Sequence, residues 1–125
     1  MILVDTSVWV DHLRLGDAGL VDLLNSNRVA MHPFVLGELA CGNLQQRAEV
    51  MALLKNLPQT TMAQDEEVLF HIESHNLMGR GIGYIDAHLL AAVALSGHMR
   101  LWTRDKRLQG LASELEIAHH PAQLQ

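Results

Sequence analysis

Short apolar runs alternate with helix-patterned segments along this chain, and that alternation narrows the fold more than any other feature. A strand followed by a helix and then a further strand builds a parallel sheet with helices laid over it. Ile2-Leu3-Val4 reads as a first buried strand, and Thr6 or Ser7 can cap a helix starting straight after it. Asp17 opens a second helix, with Leu20, Leu23 and Leu24 on one face at i, i+3, i+4 spacing. Residues 29–32 read as the second strand. Pro33 suits the first turn of the next helix, where its missing N–H has no partner anyway, and that helix should end near Gly42. Val50, Leu53, Leu54 and Leu57 mark a helix stopped at Pro58; residues 59–62 read as a third strand and 65–78 as a helix. Gly79, Gly81 and Gly83 break the chain before a very apolar helix over 84–96. Residues 100–103 form a fourth strand, Leu108, Leu111 and Ala112 mark a last helix, and 115–118 a possible edge strand. The expected fold is α/β: one domain over residues 1–125, with a central parallel sheet of four or five strands and helices on both faces.

Under this reading the acidic residues fall in related places. Carboxyl ends of parallel strands share one edge, and ligands bind in the crevice outside it. Asp5 directly follows the first strand and Asp105 closely follows the fourth. Glu38 lies in the second turn of the helix leaving strand two, and helical side chains lean back toward the helix start. Asp86 lies in the first turn of the helix that feeds strand four. Four acids therefore converge, provided that the loop 79–83 carries the chain back across the sheet, about 17 Å at full extension for five residues. Asp5, Asp86 and Asp105 also stand where an acid caps a helix or complements its dipole. Glu38 is expected to be an unpaired carboxylate among apolar neighbours, in Phe34-Val-Leu-Gly-Glu-Leu-Ala-Cys41. Asp86 is similar, in Tyr84-Ile-Asp-Ala-His-Leu-Leu-Ala-Ala92. Such a group needs a cation or stays protonated.

Composition limits the setting. The 125 residues, 49% of them apolar, can bury a core without disulfide or metal staples. Cys41 is the only cysteine, so no internal disulfide forms and a reducing, cytoplasmic location is expected. The start has no basic region before its apolar residues, unlike a signal peptide. The apolar run 89–95 falls far short of the ~18 residues a spanning helix needs, so no membrane is expected. A net charge of −5 argues against phosphate binding unless the acids hold metal, because two divalent ions would leave about −1. Arg100, Arg104, Lys106 and Arg107 cluster around Asp105, and with Arg80 they are candidates for gripping a nucleic-acid backbone or form a solvated face.

The chain resembles the PIN-domain nucleases, and within them the VapC-type toxins of bacterial toxin–antitoxin pairs. The resemblance rests on Val4-Asp5-Thr6-Ser7-Val8-Trp9, on Glu38 after Pro33, on Gly83-Tyr84-Ile85-Asp86-Ala87-His88-Leu89-Leu90-Ala91-Ala92 and on Leu101-Trp102-Thr103-Arg104-Asp105-Lys106-Arg107-Leu108. It runs the full length in order and spacing, with no family signature between Gly42 and Gly83. It implies a metal-dependent endoribonuclease that cleaves RNA phosphodiester bonds with one or two Mg2+ or Mn2+ ions. Asp5, Glu38, Asp86 and Asp105 match the family's four acids as catalytic residues and metal ligands, and Ser7 and Thr103 match its supporting hydroxyls. It also implies two protein partners: a small antitoxin that covers or fills the acidic cleft, and a second copy of the chain in a homodimer. Trp9, Val10 and Leu13 suit either contact, or the core.

Other signals carry less. His71 and His75 are four apart on a helix, but Ile72, not Glu, follows the first, so the zinc-protease pattern is absent. The loop Gly79-Arg-Gly-Ile-Gly83 follows a helix rather than a strand and reads as a hinge, not a phosphate loop. No nucleophile elbow surrounds Ser7. The competing readings are a non-catalytic PIN-fold binding module, a DNA-directed nuclease using the same acids, and a receiver-type signalling domain, whose acid pair and middle-strand phosphoacceptor are not visible.

Overall fold

Three short parallel strands, seven helices and two single-residue bridges make up the computed structural model, which describes residues 1–121. The order is β1 (Ile2–Val4), α1 (Thr6–Leu15), α2 (Ala18–Asn25), β2 (Val29–Ala30), α3 (Pro33–Ala40), α4 (Arg47–Lys55), α5 (Asp65–Ser74), α6 (Tyr84–Ser96), β3 (Arg100–Trp102) and α7 (Lys106–Glu114). The sheet order is β2-β1-β3, with Ile2 beside Val29 and Val4 beside Trp102. The expected four or five strands are thus three. The two further strands contract to parallel bridges, Gln59 on Met31 and Ala118 on Leu101, one at each sheet edge. Each bridge holds two backbone hydrogen bonds, from Met31 N–H to Pro58 O and Thr60 N–H to Met31 O, and from Leu101 N–H to Ile117 O and His119 N–H to Leu101 O. Pro58 has no N–H to donate, so it cannot extend the first ladder as a donor.

Strand order places the helices. The chain moves outward from β1 to β2 and on to Gln59, then returns past β1 to β3 and outward to Ala118. Right-handed crossovers then put α1–α4 over one face and α5–α7 over the other. The packing of α1 on α3, α3 on α4 and α5 on α6 follows this division. The direction reverses between β1 and β3, and a crevice opens at their carboxyl ends. The strands are buried on both faces, as such an arrangement requires, and Leu3, Leu20, Leu89, Leu90, Leu101 and Leu108 are at or near zero exposure in the shared core.

Helix boundaries differ from the sequence expectation in two places. Asp5, not Thr6 or Ser7, is the N-cap of α1. Helix α5 ends at Ser74 rather than Met78, because Asn76 takes a left-handed conformation (φ 54°). The connection to α6 is accordingly residues 75–83, longer than the five residues 79–83. Asp17 caps α2 and Pro33 starts α3, as expected.

The cap of α3 is a fully buried histidine. His32 Nδ1 accepts the Phe34 N–H at 3.0 Å, which only an imidazole unprotonated at that nitrogen can do. Burial, with a smaller contribution from His88 on α6, lowers the His32 pKa from 6.5 to about 4. Protonation therefore favours the unfolded chain. The His32 contribution is whole above pH 6.5 and is lost as pH falls toward 4, to the extent of about 3 kcal/mol. His32→Asn keeps a capping acceptor. Urea unfolding at pH 7 and pH 4.5 should show a smaller loss of stability in this variant than in wild type. Parallel losses would contradict a neutral buried imidazole.

Candidate active site

Asp5 is the first residue past β1, and its N–H donates to Trp102 O at 2.8 Å, so the ends of β1 and β3 are tied together at the crevice. The carboxylate is buried, with 7% of the residue exposed. A buried carboxylate requires compensating donors. Oδ2 receives the Ser7 hydroxyl at 2.7 Å, the Thr103 hydroxyl at 2.8 Å and, more distantly, the Ser7 N–H at 3.4 Å. The two hydroxyls are in turn met by successive backbone donors: Arg104 N–H to Ser7 Oγ at 3.0 Å and Asp105 N–H to Thr103 Oγ1 at 3.1 Å.

Glu38 differs from expectation. It is exposed rather than buried among apolar groups, because α3 turns Val35 and Leu39 into the core and Glu38 outward. An apolar stretch of sequence is not an apolar environment when the helix has one solvent face. Its partner is Thr6, whose hydroxyl donates to Oε1 at 2.8 Å. The sequence offered Thr6 only as a candidate helix cap, not as a partner of Glu38; its place beside Asp5 in the first turn of α1 was the available signal. Asp105 is exposed and caps α7, accepting the Leu108 N–H at 3.0 Å. Asp86 is half-buried and accepts the Gly83 N–H at 3.2 Å. Asp5, Asp86 and Asp105 thus each sit at a helix start, and the positive ends of α1, α6 and α7 favour their charged forms.

Charge couples Asp86 to the other three acids. Burial pushes the Asp86 carboxyl above its ordinary value, the Gly83 N–H opposes this, and the charges of Asp5, Asp105 and Glu38 push it further up. All three other acids are close enough for their charges to be felt. The donor set is oxygen only, which suits hard ions such as Mg2+ or Mn2+. Among the described residues no three acidic, histidine or cysteine side chains stand as a ready group of metal ligands.

A PIN-domain family model matches residues 2–114. The chain belongs to the PIN-domain family. Proteins named Ribonuclease VapC32 from two strains of Mycobacterium tuberculosis are 51% identical to it over 118 residues, covering 94% of this chain and 95% of theirs. The solved structure of FitAcB from Neisseria gonorrhoeae superposes with a TM-score of 0.61 at 20% identity, covering 94% of this chain and 95% of that one. FitAB bound to an IR36 DNA fragment gives 0.59 at 21%, covering 94% and 92%. At such identities the last two show the fold alone.

The PIN domain does not gather all the basic candidates at its acids. Arg100 stands at the amino end of β3, the edge opposite the crevice, and points Nη1 at the backbone oxygens of Glu116 and Ala118, each at 3.4 Å. Arg80 pairs with Glu114 at 2.7 Å, an exposed contact of small net value. Arg104 is bound to Asp11 and Asp17. Lys106 and Arg107, exposed at the start of α7, have no ion-pair partner among the described residues. Arg107 lies over Gly81, where a Cβ would come within 2.6 Å of its Cδ and where φ is +85°. The positive φ favours glycine at this position, and a larger residue would also displace the Arg107 side chain.

A groove of about 660 Å³ includes Glu38 in its lining and is mixed in character: Val10, Leu13, Leu15, Leu39, Leu44 and Val50 supply apolar wall, and Arg14, Asn43, Gln45 and Gln46 polar wall. Leu15 is 87% exposed. Trp9, by contrast, is buried in the core. Among the described residues no helix is long and apolar enough to cross a membrane.

The raised Asp86 pKa has a consequence for stability. Its charged form is disfavoured in the fold, so the contribution is whole at low pH and is lost as pH rises from 3.8 through the folded value. In metal-free buffer, Asp86→Asn should raise the melting temperature at pH 7, with the gain disappearing near pH 3.8. A variant that melts lower than wild type at pH 7 would contradict the like-charge crowding.

Proposed function

We propose that this PIN-domain chain is an endoribonuclease that hydrolyses RNA phosphodiester bonds and serves as the VapC-type toxin of a toxin–antitoxin pair. The observation that carries the reading is geometric: Asp5 and Asp105 closely follow β1 and β3 at the strand-order reversal, and Thr103 donates to Asp5 there at 2.8 Å; the charges of Asp5, Asp105 and Glu38, which add to burial in raising the Asp86 carboxyl, support it. The 51% identity to proteins named ribonuclease supports RNA as the substrate. We assign these four acids as the catalytic carboxylates and the ligands of one or two Mg2+ or Mn2+ ions. Such an ion, when bound, lowers the pKa of a water and neutralises charge developing on the phosphate.

The remaining work falls to the chain itself. Asp5 has Oδ2 committed to Ser7 and Thr103, so Oδ1 is the oxygen it offers to the crevice. Thr6 holds Glu38 at the rim. The half-buried Asp86 supplies a carboxylate already destabilised by its neighbours, which a cation relieves. Lys106 and Arg107 are positioned to grip the RNA backbone beside Asp105.

The groove next to Glu38 is the surface we assign to an antitoxin segment with apolar side chains, which would shield the acids at the same time. A second copy would bury the exposed Leu69, Phe70 and Leu95 of α5 and α6.

Purified protein incubated with labelled single-stranded RNA in Mg2+, Mn2+ or EDTA, beside Asp5→Ala and Asp86→Asn, tests the proposal. Cleavage should require metal and fall at least about a hundredfold in both variants, the scale on which losing a group that stabilises transition-state charge is felt. Millimolar metal should also raise the melting temperature of wild type. Cleavage that survives EDTA or both substitutions would overturn the mechanism. Cleavage of DNA in place of RNA would establish the nuclease and correct its substrate. Metal binding without cleavage of either would favour a binding module.

A further inference from the structure

Arg104 stands next to Asp105 in a basic cluster, which makes it the obvious residue to hold a phosphate. Its guanidinium is occupied elsewhere. Nη1 binds Asp11 Oδ2 of α1 at 2.6 Å, Nη2 binds Asp17 Oδ2, and the guanidinium carbon lies 5.8 Å from the centre of the Trp102 ring. Asp17 is the N-cap of α2. Burial opposes its ionisation, but the Leu20 N–H and Arg104 outweigh burial and keep the carboxyl below its ordinary range. One cation shared by two carboxylates carries a local net charge of −1 and has little attraction left for phosphate.

The clasp has a consequence at the backbone of the same residue. The Arg104 N–H donates to Ser7 Oγ at 3.0 Å, and the next N–H, that of Asp105, donates to Thr103 Oγ1 at 3.1 Å. Each hydroxyl oxygen therefore accepts from the turn, and its own hydrogen is directed to Asp5 Oδ2 at 2.7 and 2.8 Å. Ser7 and Thr103 oxygens are themselves only 3.3 Å apart, so without the two backbone donors one hydroxyl can rotate to donate to the other and leave Asp5 short of a partner. We infer that Arg104 is a positioning residue: by clasping Asp11 and Asp17 it fixes the turn 103–105, so that two successive backbone N–H groups aim the Ser7 and Thr103 hydroxyls at Asp5.

The kinetic arm of the test rests on the proposed nuclease activity; the exchange arm does not. Two variants of the full chain are compared with wild type, Arg104→Lys and the double variant Asp11→Asn with Asp17→Asn. Lysine keeps the charge but cannot bridge two carboxylates in a fork. Asparagine at 17 retains the capping acceptor of α2, so the fold is preserved while the clasp is lost, and melting curves confirm this. Both variants should lower kcat roughly ten- to a hundredfold, with KM held within about twofold, as expected for a residue that acts through a ligand's supporting shell. Amide hydrogen exchange read by NMR should quicken at positions 104 and 105 in both, while core amides such as Leu90 keep their protection. A residue with only a stabilising role would lower the melting temperature without moving kcat or these two amides, and that result would overturn the inference. A phosphate-gripping role would give the opposite signs, with the double variant lowering KM by releasing the guanidinium and Arg104→Lys retaining activity. If wild type cleaves no RNA, the nuclease reading fails by itself, and exchange at 104 and 105 still decides this one: quickened exchange upholds it and unchanged exchange overturns it.

Discussion

Parallel pairing of β1 with β3 brings Val4 beside Trp102, and from that register the rest of the site follows. It sets Asp5 and Thr103 side by side at one edge, where the Thr103 hydroxyl reaches Asp5 Oδ2 at 2.8 Å. A one-residue slip would turn Asp5 to the other face of the sheet and leave its carboxylate without these donors. At 7% exposure that would be costly. The register thus explains how a carboxylate is held in the core-facing mouth of the crevice and why Ser7 and Thr103, ninety-six positions apart, converge on the same oxygen.

Against this well-satisfied anchor stands a deliberately poor arrangement of charge. The charges of Asp5, Asp105 and Glu38 all act on Asp86, and no basic side chain is ion-paired to Asp86, Asp105 or Glu38 among the described residues. Their compensation is local and partial: a helix start for Asp86 and Asp105, one threonine hydroxyl for Glu38. The core of leucine, valine and tryptophan side chains holds them together despite the repulsion. In the proposed enzyme a divalent cation relieves that stress, so the same acids that weaken the metal-free fold are those that bind the ion. The basic residues are divided correspondingly. Arg104 is bound to Asp11 and Asp17 of the scaffold, while Lys106 and Arg107, at the start of α7, have no ion-pair partner among the described residues.

Much of this was legible in the sequence because strand ends and helix starts carry strong local signals. Ile2–Val4, Asp17 before Leu20 and Leu23, Pro33, and Tyr84–Ser96 all stand where pattern and capping chemistry put them. The family motifs followed the same positions. The sheet width was overestimated because residues near 59 and 118 have strand-like composition but make only one bridge each, which depends on tertiary neighbours rather than on pattern. The setting of Glu38 was misjudged because sequence neighbours in a helix lie on different faces. The pairing of Arg104, which the sequence offers only as a backbone-gripping candidate or part of a solvated face, was not legible, because Asp11 and Asp17 lie 93 and 87 positions away and no local pattern announces them.

In the proposed active site the four carboxylates act as one electrostatic unit. The direct measurement is the titration of the Asp86 side-chain carboxyl by NMR, in wild type and in Glu38→Gln and Asp105→Asn, in the absence of divalent metal. Asp86 should titrate above 3.8 in wild type, and each neutralised neighbour should bring its pKa down. An Asp86 that titrates at its ordinary value, or that is indifferent to both substitutions, would show that the acids do not form one site.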